Sequence, residues 1–158
     1  MAGENLNVQL LDSWRRLNGR SFGRWWFTRL VCRQAPYLSS IRPRFRTLRP
    51  GLCSVSLRHH RDVIDPSGGL HAMAMANLCE LAARVLMEAT LPAKYHWSPR
   101  GMTIEYLSTV GTDALATARL DRHEWDNAAH VGVPVTVVNA SGREAARAVI
   151  SMAVGPRH

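Results

Sequence analysis

The stretch DPSGGLHAMAMANLCELAARVLMEA, residues 65–89, decides the fold. Beyond its two glycines it is apolar on every side of a helix, and polar residues interrupt it at only a few positions. A helix of that kind is buried over most of its surface, and its many alanines let other elements approach closely. The stretch therefore predicts a long buried helix from about Ser67 to Ala89, around which the rest of the chain packs.

The segments on either side of this helix predict strands. After it come MTIEYLSTV, ALATARLDR, HVGVPVTVVNA and REAARAVISMAV, separated by GTD, EWDNAA and ASG. Before it, residues 41–63 are typical of strand, Pro-Gly turn and strand, and two helices are predicted within residues 5–18 and from Ser21 to near Pro36. Consecutive strands joined by short turns favour an antiparallel sheet, which buries the long helix. The predicted fold class is α+β.

The length of 158 residues is that of one domain. We predict a single domain over residues 1–158, divided into an N-terminal helical extension (1–36) and a core (37–158). No apolar run reaches the roughly 18 residues of a membrane span, and the N-terminus lacks the apolar centre of a secretory signal, so the expected location is the cytoplasm. The three cysteines are far apart, which predicts buried thiols rather than disulfides.

The charge is uneven along the chain. Of the 20 Lys and Arg residues, which give a formal net charge of +8, twelve lie in residues 1–62, and all twelve are arginine. Such a field attracts nucleic acid, an anionic membrane face or a phosphorylated carrier such as coenzyme A. Charge is the only feature of the sequence that supports nucleic-acid binding, so we do not expect nucleic acid as a partner.

Two local clusters have competing explanations. The first cluster is Trp25, Trp26 and Phe27, which arginines flank. These side chains could lie at a membrane interface, stack on nucleic-acid bases, or pack the N-terminal helix over the edge of the sheet. His59 and His60 point to opposite faces of a strand, and no third ligand has metal-site spacing, so we predict no metal.

Glu80 is the polar residue that most needs an explanation, because it lies in the middle of the apolar helix. It could pair with Arg84 one turn later, as many helical ion pairs do. Alternatively, it could point into a cleft where desolvation raises its pKa and fits it to act as a base or nucleophile. The spacing leaves both interpretations open.

The start of the helix suits an oxyanion or another anion. Gly68 and Gly69 would leave backbone N–H groups unshielded where the helix dipole is positive, although an ordinary turn capped by Asp65 or Ser67 is equally consistent. His71 and Glu80 are nine residues apart and therefore project from opposite sides of the helix. A site that uses both ends needs a second copy of the chain, which predicts a homodimer or a dimer of dimers.

The segments GGLHAMAMANLCELA and PRGMTIEYLSTVGTDALATARL resemble the hotdog-fold thioesterase superfamily, in which a long helix is wrapped by an antiparallel sheet. With Gly23-Arg24 and Ala35-Pro36-Tyr37, the whole chain is similar to a largely uncharacterised bacterial branch of that superfamily. The resemblance implies paired protomers whose sheets meet edge to edge.

The acyl-coenzyme A thioesterases of this superfamily imply roles for particular residues. Glu80 matches the catalytic acid nine positions after the His, and Asp65 matches an Asn or Asp that places the water or the thioester. The backbone from Leu70 through His71 to Ala72 matches the oxyanion hole, although Ala72-Met73 replaces the family's Gly-Gly. The remaining implied substrate-binding residues are Gly68, Gly69 and Asn77.

The expected function is hydrolysis of an acyl thioester, most simply acyl-coenzyme A, at a site between two protomers. No separate cofactor is expected, since coenzyme A is part of the substrate. The alternative is a protein that keeps the fold and binds an acyl or acyl-carrier thioester without catalysis.

Overall fold

The computed structural model describes residues 6–121 and 130–156, with side chains from Leu10 onward. Its helices are α1 (Leu6–Leu17), α2 (Gly23–Gln34) and α3 (Ala72–Thr90), and its strands are β1 (Arg44–Arg49), β2 (Leu52–Leu57), β3 (Tyr95–Tyr106), β4 (Ala114–Arg119), β5 (His130–Asn139) and β6 (Glu144–Pro156). Short 3-10 turns cover Pro36–Ile41 and Arg61–Val63. The predicted loop EWDNAA lies outside the described residues.

The strands form a six-stranded sheet in the order β1-β2-β4-β5-β6-β3. Every neighbouring pair is antiparallel, which confirms the predicted arrangement. The tight turn between β1 and β2 uses Gly51 at φ 81°, a left-handed backbone that glycine adopts without strain. The strands β1 and β3 form the two edges of the sheet.

Helix α3 packs against the middle of this sheet and forms the centre of the core. Leu78, Leu81, Leu86 and Met87 on the helix are almost completely buried. Alternate residues of β5 are buried against the same core, as expected for a sheet with one covered face. The predicted α+β fold is confirmed.

Two predicted boundaries were wrong. Helix α3 begins at Ala72 rather than near Ser67, because the preceding residues form a hydrogen-bonded turn and His71, not Asp65 or Ser67, caps the helix. Strand β3 begins at Tyr95, seven residues before the predicted MTIEYLSTV segment, because its first half also pairs with β6. The register shifts between Pro99 and Gly101, and an edge strand tolerates that proline because one side of it needs no hydrogen bonds.

The two N-terminal helices join the same core through aromatic contacts. Trp14 of α1 lies edge-on to Phe27 of α2 with ring centroids 5.0 Å apart, and Phe27 meets Phe45 of β1 in the same way at 5.1 Å. The predicted cap Ser21 is not used, since Phe22 precedes α2 without a side-chain cap. Within the described residues, no helix is both long and apolar enough to cross a bilayer.

The cysteines are free thiols, as predicted, with Cys53 and Cys79 buried and Cys32 partly buried. Burial raises the pKa of the Cys79 thiol to about 12. A thiol with such a pKa stays protonated at neutral pH and is a poor nucleophile.

Candidate functional site

The turn before α3, residues 65–71, is organised by the side chain of Asp65. Its Oδ1 accepts hydrogen bonds from the Ser67 N–H at 2.8 Å, the Ser67 hydroxyl at 2.5 Å and the Gly69 N–H at 3.3 Å. The hydroxyl bond from Ser67 is the main cause that holds the pKa of Asp65 below its usual value. Asp65 is therefore ionised at neutral pH, and Oδ1 supports the turn.

The backbone donors of this turn are nearly all used within the chain. The Gly68 N–H donates to the Asp65 carbonyl, the Leu70 N–H to Val110 and the His71 N–H to Val63, at 2.7 to 3.0 Å. Contrary to the expectation from sequence, the glycine N–H groups are thus not open. Among the described residues, the Ala72 N–H has no hydrogen-bond partner, and it lies at the exposed start of α3.

The Ala72 N–H is therefore the donor that the structure leaves available at this helix start. His71 completes the cap, because its Nδ1 accepts from the Met73 N–H at 3.1 Å. The Tyr106 hydroxyl donates to the Ala72 carbonyl at 3.0 Å and fixes the end of β3 against the same residue. Desolvation, together with nearby Cys79, raises the pKa of Tyr106, so its hydroxyl stays neutral.

Leaving aside its first and last residues, α3 has five residues that are not buried, and they lie along one stripe of the helix. This open stripe consists of Met73, Asn77, Glu80, Arg84 and Glu88. The spacing of three and four residues places them on one face of the helix, the face that the sheet leaves uncovered. Any ligand or partner that touches α3 must approach along this face or at its N-terminus.

Glu80 and Arg84 form an ion pair within the open stripe. The Arg84 Nε donates to Glu80 Oε1 at 2.8 Å, with 32% of the Glu80 side chain and 38% of the Arg84 side chain exposed. The Arg84 guanidinium also lies 6.0 Å from the centroid of the Trp97 ring. The pairing interpretation of Glu80 is thus observed, while a chemical role for the same carboxylate stays a prediction.

The site residues that the resemblance implies on α3 are spread along the helix. Asn77 donates from its side-chain amide to the Tyr37 hydroxyl at 3.2 Å, which connects the open stripe to the 3-10 turn after α2. Ala72 and Glu80 are eight residues apart, about 12 Å along the helix axis. One chain therefore does not bring its helix start and Glu80 to a single substrate atom.

Beside the turn before α3 lies a cationic pocket whose residues the sequence did not identify as a site. Its volume is about 380 Å³, and it is lined by Arg42, Arg44, Arg58, His59, His60 and Asp113. His59 Nε2 lies 2.8 Å from the Gly68 carbonyl, which joins the pocket to the turn. Among the residues that the structure describes, no group of three His, Cys, Asp or Glu residues could hold a metal ion. The run of basic residues from 58 to 61 was the available signal.

The long helix on a six-stranded antiparallel sheet is the hotdog fold, which the chain shares with solved proteins described as thioesterases. A probable thioesterase of unknown function from Pseudomonas aeruginosa superposes with a TM-score of 0.73 at 17% identity, over 81% of this chain and 92% of that one. A hypothetical thioesterase from Streptococcus pneumoniae, solved with coenzyme A, gives 0.67 at 14%, over 80% and 98%. At such identities the likeness shows the fold alone.

The chain belongs to the family described as Domain of unknown function (DUF4442), whose model matches residues 23–154. The crystal structure of a genomics target is 33% identical, with 96% of this chain and 99% of that chain covered and a TM-score of 0.84. No functionally curated protein is significantly similar in sequence. The resemblance noted from GGLHAMAMANLCELA is confirmed.

Proposed function

We propose that this protein hydrolyses an acyl thioester of coenzyme A at a site formed by two copies of the chain. The observation that carries the proposal is the unpartnered Ala72 N–H at the start of α3, beside a pocket of arginines. A donor at a helix N-terminus stabilises the negative charge that develops on the carbonyl oxygen during acyl transfer. The thioesterase names of the structural neighbours support the same reaction class.

The second copy is supported by the exposed edge of the sheet. Strand β3 is 12 residues long and mostly exposed. Met102 and Tyr106 on β3 and Leu107 directly after it are exposed to solvent, each by at least 40%. Met73 at the start of α3 is 56% exposed. An edge strand of this length has unpaired backbone N–H and C=O groups that can pair with a further strand, and a copy related by a two-fold axis would supply that strand. Pairing there would also bring the start of each α3 towards the other protomer.

In the proposed reaction, the thioester carbonyl oxygen accepts from the Ala72 N–H of one protomer. Glu80 of the other takes a proton from water as the water oxygen attacks the carbonyl carbon. The carbon–sulfur bond then breaks, and the departing thiolate takes up the proton from Glu80. The products are a carboxylic acid and the free thiol.

The cationic pocket is the proposed site for the phosphates of coenzyme A. Arg42 is partly neutralised by Asp62 at 2.9 Å. Arg44 and Arg58 have no ion pair among the described residues, so their charge is available to a ligand. Guanidinium groups bind phosphate through paired N–H donors. Coenzyme A bound to the streptococcal neighbour supports this choice of carrier.

A protein that binds an acyl or acyl-carrier thioester without hydrolysing it is the second candidate. It is favoured by the Glu80–Arg84 ion pair, which gives the carboxylate a structural partner, and by the side chains at Ala72 and Met73 where the superfamily has glycines.

Thiol release from a series of acyl-coenzyme A esters separates the two candidates. We expect hydrolysis by the parent protein, and a fall of about 10² or more in kcat/KM for Glu80→Gln. Glu144→Gln is the matched control, because Glu144 also pairs with an arginine, Arg147, but lies on β6 rather than on α3. Hydrolysis unchanged in Glu80→Gln would exclude the mechanism, and binding without thiol release would favour the second candidate.

The carrier and the assembly are tested separately. Arg58→Gln should raise KM for acyl-coenzyme A but leave it unchanged for an acyl-N-acetylcysteamine ester, which has no phosphates.

In sedimentation, Met102→Glu should convert a dimer to monomers. Leu30→Glu is the control, because Leu30 and Met102 are both 40% exposed but Leu30 lies on α2, which packs at the opposite edge of the sheet against β1. This variant should remain a dimer. A parent protein that is monomeric at micromolar concentration would refute the two-copy site.

A further inference from the structure

The outer face of α2, together with Phe22 directly before it, carries large apolar side chains that the core does not use. Phe22 is 74% exposed, Trp25 53%, Trp26 58% and Leu30 40%. We refer to these four residues as the aromatic patch. Phe22, Trp26 and Leu30 line an open pocket of about 530 Å³ together with Leu17 at the end of α1. The patch is therefore continuous across the junction of the two helices.

Packing against the sheet does not explain this patch. The inner face of α2 is formed by Phe27 and Val31, which are buried. Phe27 makes the aromatic contacts to α1 and β1, whereas Trp25 and Trp26 project outward. Of the three candidate explanations for the Trp-Trp-Phe sequence, core packing accounts only for Phe27.

Arginines surround the aromatic patch and give it a single sign of charge. Arg20, Arg24, Arg29 and Arg33 are all exposed on or beside α2. No acidic residue occurs between Asp12 and Asp62 in the sequence, so nothing local neutralises them. The Arg29 guanidinium lies 5.0 Å from the Trp25 ring centroid. Apolar side chains inside a cationic rim match the boundary between lipid headgroups and acyl chains.

The ring geometry favours a membrane over single-stranded nucleic acid. The Trp25 and Trp26 rings meet edge to face, with centroids 5.0 Å apart and planes at 81°. Arg29 covers one face of Trp25. Stacking of successive bases needs open ring faces that lie roughly parallel. A second copy of the same patch is also disfavoured, because two arginine rims would repel each other.

We propose that the outer face of α2 binds the surface of an anionic lipid bilayer. Phe22, Trp25 and Trp26 would enter the headgroup region, and Arg29 and Arg33 would pair with lipid phosphates. The contact is peripheral and involves no crossing of the bilayer. It does not depend on thioester hydrolysis, so either conclusion can fail without the other.

Co-sedimentation with vesicles tests the proposal on the full chain. We expect binding to vesicles of phosphatidylcholine mixed with phosphatidylglycerol, a blue shift of tryptophan emission, and little binding to phosphatidylcholine alone. Trp25→Ala with Trp26→Ala should lower the partition coefficient about tenfold or more, while Phe at both positions should retain most of it. Arg33→Gln should lower it about fivefold. Arg143→Gln, an exposed arginine in the β5–β6 turn, should leave it unchanged.

Three results would overturn the proposal. The first is equal binding to neutral and anionic vesicles, or none to either. The second is binding of single-stranded DNA that disappears in the double alanine variant while vesicle binding is unaffected. The third is concentration-dependent self-association of the parent that the same variant abolishes. Because both tryptophans are exposed, the variants should fold, and circular dichroism checks this.

Discussion

Substituting Gly23 tests how the two N-terminal helices are held together. Gly23 is the first residue of α2, and a β-carbon there would lie 1.5 Å from the Leu17 carbonyl oxygen and 2.3 Å from its carbon. Both are backbone atoms of the last residue of α1, so rotation of a side chain cannot relieve the overlap. In Gly23→Ala, α1 and α2 must separate by about 1.5 Å or more to restore ordinary contact distances.

That separation would reach the core. Trp14 and Phe27, whose rings meet at 5.0 Å, are on the two helices that move apart. Forced overpacking costs about 1 to 3 kcal/mol, and weakening one aromatic pair adds about 0.5 to 1.5 kcal/mol. Against this, the better helix propensity of alanine returns at most about 1 kcal/mol. We therefore expect a net loss of roughly 1 to 4 kcal/mol in the free energy of unfolding.

Thermal unfolding followed by circular dichroism measures this loss. For a chain of this size, each kcal/mol corresponds to about 2 to 4 °C, so the melting temperature should fall by roughly 2 to 16 °C. The near-ultraviolet signal of Trp14 should weaken as well. Gly19→Ala is the matched control, because a β-carbon there has no atom within 4 Å. A Gly23→Ala variant as stable as the parent would refute the close contact between the helices.

Three further predictions concern the turn, the ion pair and the thiols. Asp65→Asn keeps the Oδ1 acceptor and should preserve the turn, whereas Asp65→Ala should destabilise it. Because folding lowers the pKa of Asp65, the stabilisation by its carboxylate is present above the usual pKa and is lost as the pH falls through the lowered value. Acid titration of stability should show this loss in the parent but not in Asp65→Asn. Glu80→Gln should cost under about 1 kcal/mol by denaturant unfolding, because solvent screens a pair that is one-third exposed, and a larger loss would contradict that screening. Cys53 and Cys79 should react with a thiol reagent only after denaturation, since burial raises both pKa values, and rapid native labelling would show that they are accessible.

Strong periodic signals made most of the fold predictable. The apolar length of α3 and the short turns between strands determined the α+β class, because burial of a helix and local pairing of strands depend on sequence over short distances. The start of α3 was misplaced because the Ser67-Gly-Gly segment resembles a helix cap, whereas the N–H of the next residue, Leu70, donates to a residue as distant as Val110. Long-range backbone contacts of that kind leave no pattern in the sequence.

The site was less predictable than the fold. The resemblance pointed to Glu80 and Ala72, but only coordinates reveal that the neighbouring N–H groups are already bonded. The contact of the Tyr106 hydroxyl with the Ala72 carbonyl depends on how β3 lies beside α3, and a single tyrosine in a strand carries no sign of it. The arginine-lined pocket likewise forms from residues that are separated by more than 50 positions, from Arg58 to Asp113.

The two edges of the sheet differ in a way that limits how far copies of the chain can assemble. Strand β1 has a register shift between Phe45 and Thr47, is bounded by Pro43 and Pro50, carries exposed arginines and packs against α2. A further strand added there would meet an interrupted and charged edge, whereas β3, despite its own register shift between Pro99 and Gly101, continues without interruption from Gly101 to Tyr106. Growth by strand addition can therefore use one edge per molecule, and once two β3 edges have met, no equivalent edge is left. A sheet joined in this way would close as a pair and would have no route to an open-ended fibre.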